Sequence, residues 1–204
     1  LRLLTMSCAL PCGIDEAGRG PLAGPVTAAA VCLPDDFPVD HLADSKALSP
    51  SRRETLAVQI RTGAIAWSLG WASAEEIDRY NIHQATLLAM RRAVEGLAAR
   101  PTELLVDGLF VPACGIPGRA IVRGDATIPA IMAASILAKT ARDAWMVRYA
   151  AVDPRYGFER HKGYPTLQHR QRIALHGLSP IHRRSFRVSA EVRPSACAGT
   201  PPPG

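Results

Sequence analysis

The chain has 204 residues, is 48% apolar and carries a formal charge of +6 with a pI near 9.4; this suits one domain with a proper core and hints at a polyanionic partner. No stretch reaches the roughly 18 apolar residues of a membrane span, so no membrane partner is expected. Five scattered cysteines (8, 12, 32, 114 and 197) without a C-x-x-C pair speak against a disulfide framework or a Cys-based zinc site and point to the cytoplasm. The charge is uneven. Residues 1–118 hold 10 Lys/Arg and 13 Asp/Glu, whereas residues 119–204 hold 14 and 5. Such a split suggests acidic chemistry supplied early and a phosphate-gripping surface supplied late.

In chain order, residues 1–11 are expected to be a frayed extension, because their apolar run is too short for a signal peptide and is broken by Thr5 and Ser7. Residues 12–17 are a short apolar strand ending in two acids. A Gly/Pro-rich turn from Gly18 to Pro25 leads to V-T-A-A-A-V-C-L, a buried strand, and the close connection predicts an antiparallel hairpin. Ser49-Pro50 is a helix start, N-cap then proline, and that helix runs to about Thr62. Residues 64–72 form a third strand. A long helix is expected over 74–99, stopped by Pro101. E-L-L-V-D is a short buried strand ending at Asp107, and Ala120–Val122 is another. An Ala-rich helix covers about Ile128 to Ala150, a further helix Thr166–His176, and residues 188–204 read as a disordered tail. Strands in a meander, then strands alternating with helices, predict an α/β domain over 12–187, a mixed sheet flanked by helices with a C-terminal helical segment.

Chemistry concentrates in G-I-D-E-A-G-R-G-P-L-A-G-P at residues 13–25. Asp15 and Glu16 end an apolar strand, where two charges are costly unless a cation meets them. A lone Asp-Glu pair is more often a solvated turn, but Asp107 occupies the same kind of strand end, where α/β active sites gather. Ser135, Lys139 and Asp143, at i, i+4 and i+8, share one helix face that could close onto these acids; a solvated Lys–Asp pair is the plainer alternative. Carboxylates alone suit Mg²⁺ or Mn²⁺ rather than zinc. Gly18-Arg19-Gly20 lacks the dinucleotide-binding spacing, and Pro21 and Pro25 interrupt any helix that should follow.

Together with D-S-K-A-L-S (44–49), V-D-G (106–108), R-G-D-A (123–126), I-M-A-A-S-I-L-A-K-T-A-R-D (131–143), Y-G-F-E-R-H-K-G-Y-P-T (156–166) and S-P-I-H-R-R-S-F (179–186), this segment resembles the type 2 ribonucleases H, specifically bacterial ribonuclease HII. The resemblance implies a ribonuclease H-like sheet and an endoribonuclease that hydrolyses the RNA strand of RNA/DNA hybrids and nicks 5′ of single ribonucleotides in duplex DNA. It implies an acidic quartet at Asp15, Glu16, Asp107 and Asp143 holding two Mn²⁺ or Mg²⁺ ions, with 3′-hydroxyl and 5′-phosphate products. Gly18, Arg19 and Gly20 match a loop that senses the ribose 2′-hydroxyl, and Tyr164 a ring packed beside the cut. Ser45, Lys46, Ser135, Lys139, His161 and Lys162 match phosphate-contacting motifs. A monomer is implied, with a replication clamp as a possible protein partner. The alternatives from other classes are a non-catalytic hybrid-binding module and a DNA-cutting nuclease of the same broad fold.

Overall fold

A computed structural model describes residues 9–39, 42 and 49–188. The expected frayed extension up to residue 8 and the expected tail from residue 189 lie outside the described residues, as do Ser45 and Lys46. Five strands form one sheet: β1 (Pro11–Ala17), β2 (Val26–Cys32), β3 (Ala66–Ala72), β4 (Glu103–Asp107) and β5 (Gly118–Ile121), in the order β3-β2-β1-β4-β5. The hairpin β1–β2 and its neighbour β3 are antiparallel, while β4 and β5 run parallel to β1. The sheet is therefore mixed, as the sequence led one to expect.

Strand β2 shows why helices cover both faces. All seven of its residues are buried, and successive side chains of a strand point to opposite faces. Ala28, Ala30 and Cys32 join the core formed with α2 (Ala74–Glu95), whereas Ala29 and Val31 join the core formed with α1 (Pro50–Gly63) and α3 (Pro129–Val152). Small residues let those helices come close. A Cβ on Gly13 would lie 2.1 Å from the Ala130 carbonyl carbon of α3, and one on Gly70 would lie 1.9 Å from the Ala89 carbonyl oxygen of α2. Any larger residue at either position forces helix and sheet apart.

Helix α1 begins as its sequence predicts, with the Ser49 side chain accepting from the Arg52 amide at 3.3 Å and Pro50 in the first turn. The expected helix over 74–99 differs in two ways. It is broken at Asn81 (φ 67°), whose side chain caps the Gln84 amide at 3.1 Å, and it ends at Glu95 with Gly96 as the cap. Asparagine tolerates a positive φ and competes for nearby amides, and neither trait shows in hydrophobic periodicity. After α3 come α4 (Phe158–His161), α5 (Leu167–His176) and a return segment. Asp78 on α2 clasps that segment by accepting from the amides of Arg184 and Ser185, both at 2.9 Å, and from the Ser185 hydroxyl at 2.6 Å. No helix among the described residues is long and apolar enough to cross a membrane.

Candidate active site

Parallel pairing of β1 with β4 places their C-terminal ends at the same edge. The register sets Ile14 against Val106, so Asp15 and Asp107 are the next residues on adjacent strands. Strand β5 then turns back through Arg123, held at a left-handed φ of 58°, into a 3-10 turn over Gly124–Ala126. This turn delivers Asp125. Its backbone amide donates to Asp107 Oδ1 at 3.3 Å, and carboxylate oxygens of Asp15, Asp107 and Asp125 lie within 4.8 Å of one another.

Asp15 is 5% exposed and sits on the α3 face of the sheet, where the nearby Ser135 hydroxyl favours its charged form. Burial first, then the charge of Glu16 next door and that of Asp107, push its pKa well above the usual carboxylate range. Glu16 points to the opposite face, beside α2, and shares a cleft of about 30 Å³ with His83, Asp107 and Phe110. Burial raises its pKa too, against the opposing effect of Arg19, whose guanidinium lies 3.2 Å away. The two adjacent acids thus diverge, as strand geometry requires, and meet Asp107 from either side.

The fourth acid is placed differently from the expectation. Asp143 does not join the three carboxylates; its oxygen pairs with Lys139 Nζ at 2.9 Å. Ser135 already reaches Asp15, and eight further helical residues add about 12 Å along the axis, too far for Asp143 to reach the same point. Lys139 and Asp143 therefore flank the acids along α3, with Lys139 Nζ 5.7 Å from the Tyr164 ring centroid.

Tyr164 is 40% exposed and adjoins the glycine loop, since a Cβ on Gly20 would lie 3.9 Å from its ring. Gly18 has φ +95° and is buried, while Arg19 and Gly20 are exposed. Lys162, also at positive φ, folds its ammonium back onto the Glu159 carbonyl. His161 departs from the expected phosphate contact. It is buried, with Nε2 bonded to the Tyr156 carbonyl at 2.9 Å and Nδ1 accepting from the Gly163 amide at 3.2 Å. Both ring nitrogens are thus engaged inside the protein.

His161 belongs to a stack of buried imidazoles beneath Tyr164. Its ring lies 4.3 Å from that of His169, whose Nε2 is 3.0 Å from His182 Nε2. The partners fix the tautomers. His182 Nδ1 accepts from the Ser179 amide, so its Nε2 carries hydrogen and donates to His169, leaving His169 Nδ1 to donate to the Tyr164 carbonyl at 2.9 Å. A proton added to His169 Nε2 would face the His182 N–H, and burial holds His169 and His182 down to about 4. The unfolded chain, near 6.5, binds more protons between those values, so this contribution to stability is complete above pH 6.5 and lost as pH falls toward 4. The shift corresponds to roughly 3 kcal/mol per ring. Asp15, with its raised pKa, acts in the opposite sense. The measurement is accordingly the melting temperature against pH for wild type and for His169→Gln: wild type should fall more steeply between pH 6.5 and 4.5, and parallel curves would contradict the assignment.

Sequence reasoning did not single out Asp125, Arg142 or Arg183. Asp125 stands inside R-G-D-A, but only the turn geometry brings it to the strand ends. Arg142 and Arg183 are almost fully buried and bond backbone carbonyls around the glycine loop; basic residues carry no periodic signal that would mark them as interior.

Comparison with known proteins identifies the family. The sequence profile of the family described as Ribonuclease HII matches residues 12–189. Ribonuclease HII of Laribacter hongkongensis is 60% identical over 177 residues, 86% of this chain and 89% of that one. That of Verminephrobacter eiseniae is 56% identical, covering 92% and 90%. Among solved structures, ribonuclease HII of Archaeoglobus fulgidus, in a complex with PCNA, superposes with a TM-score of 0.73 at 26% identity, covering 87% of this chain and 95% of that one. Ribonuclease H2 of Pyrococcus horikoshii OT3, at 24% identity with 87% and 94% covered, shares the fold with the same TM-score. The chain belongs to the ribonuclease HII family and is a ribonuclease H, an endoribonuclease acting on RNA/DNA hybrids.

Proposed function

We propose that this ribonuclease also nicks duplex DNA on the 5′ side of a single embedded ribonucleotide, using two Mg²⁺ or Mn²⁺ ions held by Asp15, Glu16, Asp107 and Asp125 and leaving 3′-hydroxyl and 5′-phosphate ends. The observation that carries the reading is the cluster of Asp15, Asp107 and Asp125 oxygens at the end of β1, the strand that leads into the glycine loop, which Tyr164 adjoins. Three carboxylates within 4.8 Å, one of them buried with a raised pKa, form a donor set that fits hard divalent cations and is poorly stable without them. Such ions, when bound, acidify the attacking water and offset charge on the leaving 3′-oxygen.

The chain's own groups do the positioning. Ser135 orients Asp15, the Asp125 amide orients Asp107, and Arg19 holds Glu16. The Gly18–Gly20 backbone approaches a sugar more closely than a side chain could and offers groups to its 2′-hydroxyl. Tyr164 presents a flat face to the neighbouring deoxyribose. Ser45, Lys46, Lys139 and Lys162 supply sequence-independent contacts to phosphates; His161 supports the Tyr164 turn from within. A cytoplasmic location fits the free Cys12, Cys32 and Cys114, and the PCNA complex of the Archaeoglobus protein makes a sliding clamp the protein partner to test.

The decisive substrate is a labelled duplex with one ribonucleotide. Wild type should cut once, on its 5′ side, with Mg²⁺ or Mn²⁺ and not in EDTA. Tyr164→Ala should lose about tenfold or more, the scale of one aromatic contact and its positioning. A wild type that degrades long hybrid but ignores this duplex, or a variant that cuts it equally well, refutes the junction reading.

A further inference from the structure

Arg183, 1% exposed, lies in the return segment and bonds backbone carbonyls rather than an acid. Nη2 donates to Gly18 at 2.6 Å and to Gly24 at 2.8 Å, Nη1 to Arg19 at 2.9 Å and Nε to Gly24 at 2.9 Å. Among the described residues it has no ion-pair partner; the Phe186 ring lies 5.0 Å from its guanidinium carbon. Burying a charge without a counter-charge is costly, and good hydrogen bonds offset only part of the cost. An apolar residue in its place would leave the Gly18, Arg19 and Gly24 carbonyls without that donor, so the guanidinium serves the backbone of this loop and not merely its packing.

The peptide plane shows how. In a trans peptide the C=O of one residue and the N–H of the next point in opposite directions. Drawing the Gly18 and Arg19 carbonyls onto the guanidinium therefore turns the Arg19 and Gly20 amides away from it, on the two exposed residues of the loop. Arg142 closes the other side. A Cβ on Gly18 would lie 2.0 Å from its Nε, and its nitrogens donate to the carbonyls of Ala23, Pro25 and Lys162. The last of these ties the loop to the turn carrying Tyr164, and Leu22 N–H adds a 2.8 Å bond to the Gly163 carbonyl.

We propose that Arg183 is a positioning residue for sugar recognition: it locks the two peptide units of Gly18-Arg19-Gly20 with their amides preset toward a ribose 2′-hydroxyl. The inference rests on the reading that this loop senses that hydroxyl. Its value is preorganisation, because a loop free to rotate either peptide must be ordered each time a ribonucleotide binds.

The test is binding in EDTA, where cleavage plays no part, to two duplexes differing only in one 2′-hydroxyl. Wild type should prefer the ribonucleotide duplex by about tenfold, the scale of one or two well-formed hydrogen bonds. Arg183→Lys, which keeps the charge but not the fork, should bring the ratio to within about twofold of unity while leaving affinity for all-DNA duplex within about twofold. A staple with only a structural role would lower the melting temperature or both affinities and leave the ratio alone. Should Arg183→Lys not fold by circular dichroism, Arg183→Gln, which removes the buried charge, takes its place. A folded variant that keeps the preference overturns the proposal, as does failure of both variants to fold, which assigns Arg183 to stability alone. A wild type without preference defeats the loop reading itself, so the two failures are distinguishable.

Discussion

Replacing Asp107 by asparagine should lower hybrid cleavage about a thousandfold or more, roughly 4 kcal/mol of transition-state stabilisation, while hybrid binding stays close to wild type. Asp107 stands between Asp15 and Glu16, within 4.8 Å of Asp15 and Asp125 oxygens on one side and in the Glu16 cleft on the other. The amide has the same shape, and its oxygen can still accept the 3.3 Å bond from the Asp125 amide, so the turn over Gly124–Ala126 has no reason to move. What disappears is one negative charge at the point where cations must be held. The same change relieves repulsion among crowded carboxylates, so the melting temperature of the metal-free protein should hold or rise, a trade of stability against function common at active sites. Initial rates at saturating Mg²⁺, anisotropy binding to hybrid and a melting curve in EDTA check the three parts. Activity within about tenfold of wild type would sink the assignment, because even partners outside the ligand shell commonly cost that much.

Much of this arrangement is legible before any coordinates. The Gly/Pro-rich connection between 17 and 26 implied the β1–β2 hairpin, and both Asp15-Glu16 and Asp107 announced themselves as acids closing apolar strands. Parallel pairing then does the rest, since two such ends at one sheet edge bring their carboxylates together. The kink at Asn81 was hidden because it interrupts a helix without interrupting its apolar spacing. His161 stands in a motif that resembles a phosphate-contacting one, yet imidazole can be neutral, and here both its nitrogens find internal partners. The two interior arginines were hidden for a related reason. Arginine is ordinarily a surface residue, and only a cluster of inward-turned carbonyls, which no side-chain pattern encodes, makes Arg142 and Arg183 interior ones.

Asp125→Asn and Asp143→Asn should separate sharply, and their contrast tests which acid completes the site. Both lie in motifs shared with the family, and helix spacing favours Asp143, which shares a face with Ser135 and Lys139. The structure weighs the other way: Asp125 approaches Asp15 and Asp107 within 4.8 Å, whereas Asp143 is engaged by Lys139 at 2.9 Å. Two further helical turns separate Asp143 from Ser135, the α3 residue beside Asp15, which keeps it away from the point where Asp15, Asp107 and Asp125 converge. Asp125→Asn should therefore resemble Asp107→Asn, with about a thousandfold loss or more and little change in hybrid affinity. Asp143→Asn should cost less than about tenfold, because it only frees Lys139, which lies near Tyr164 and is the proposed phosphate contact. Kinetics resolved into kcat and KM sharpen the distinction: the first variant should lose kcat, the second should shift KM and its salt dependence. If Asp143→Asn proves the more damaging, the fourth ligand lies on α3, and the approach of Asp125 to the strand ends serves only to hold the turn that follows β5.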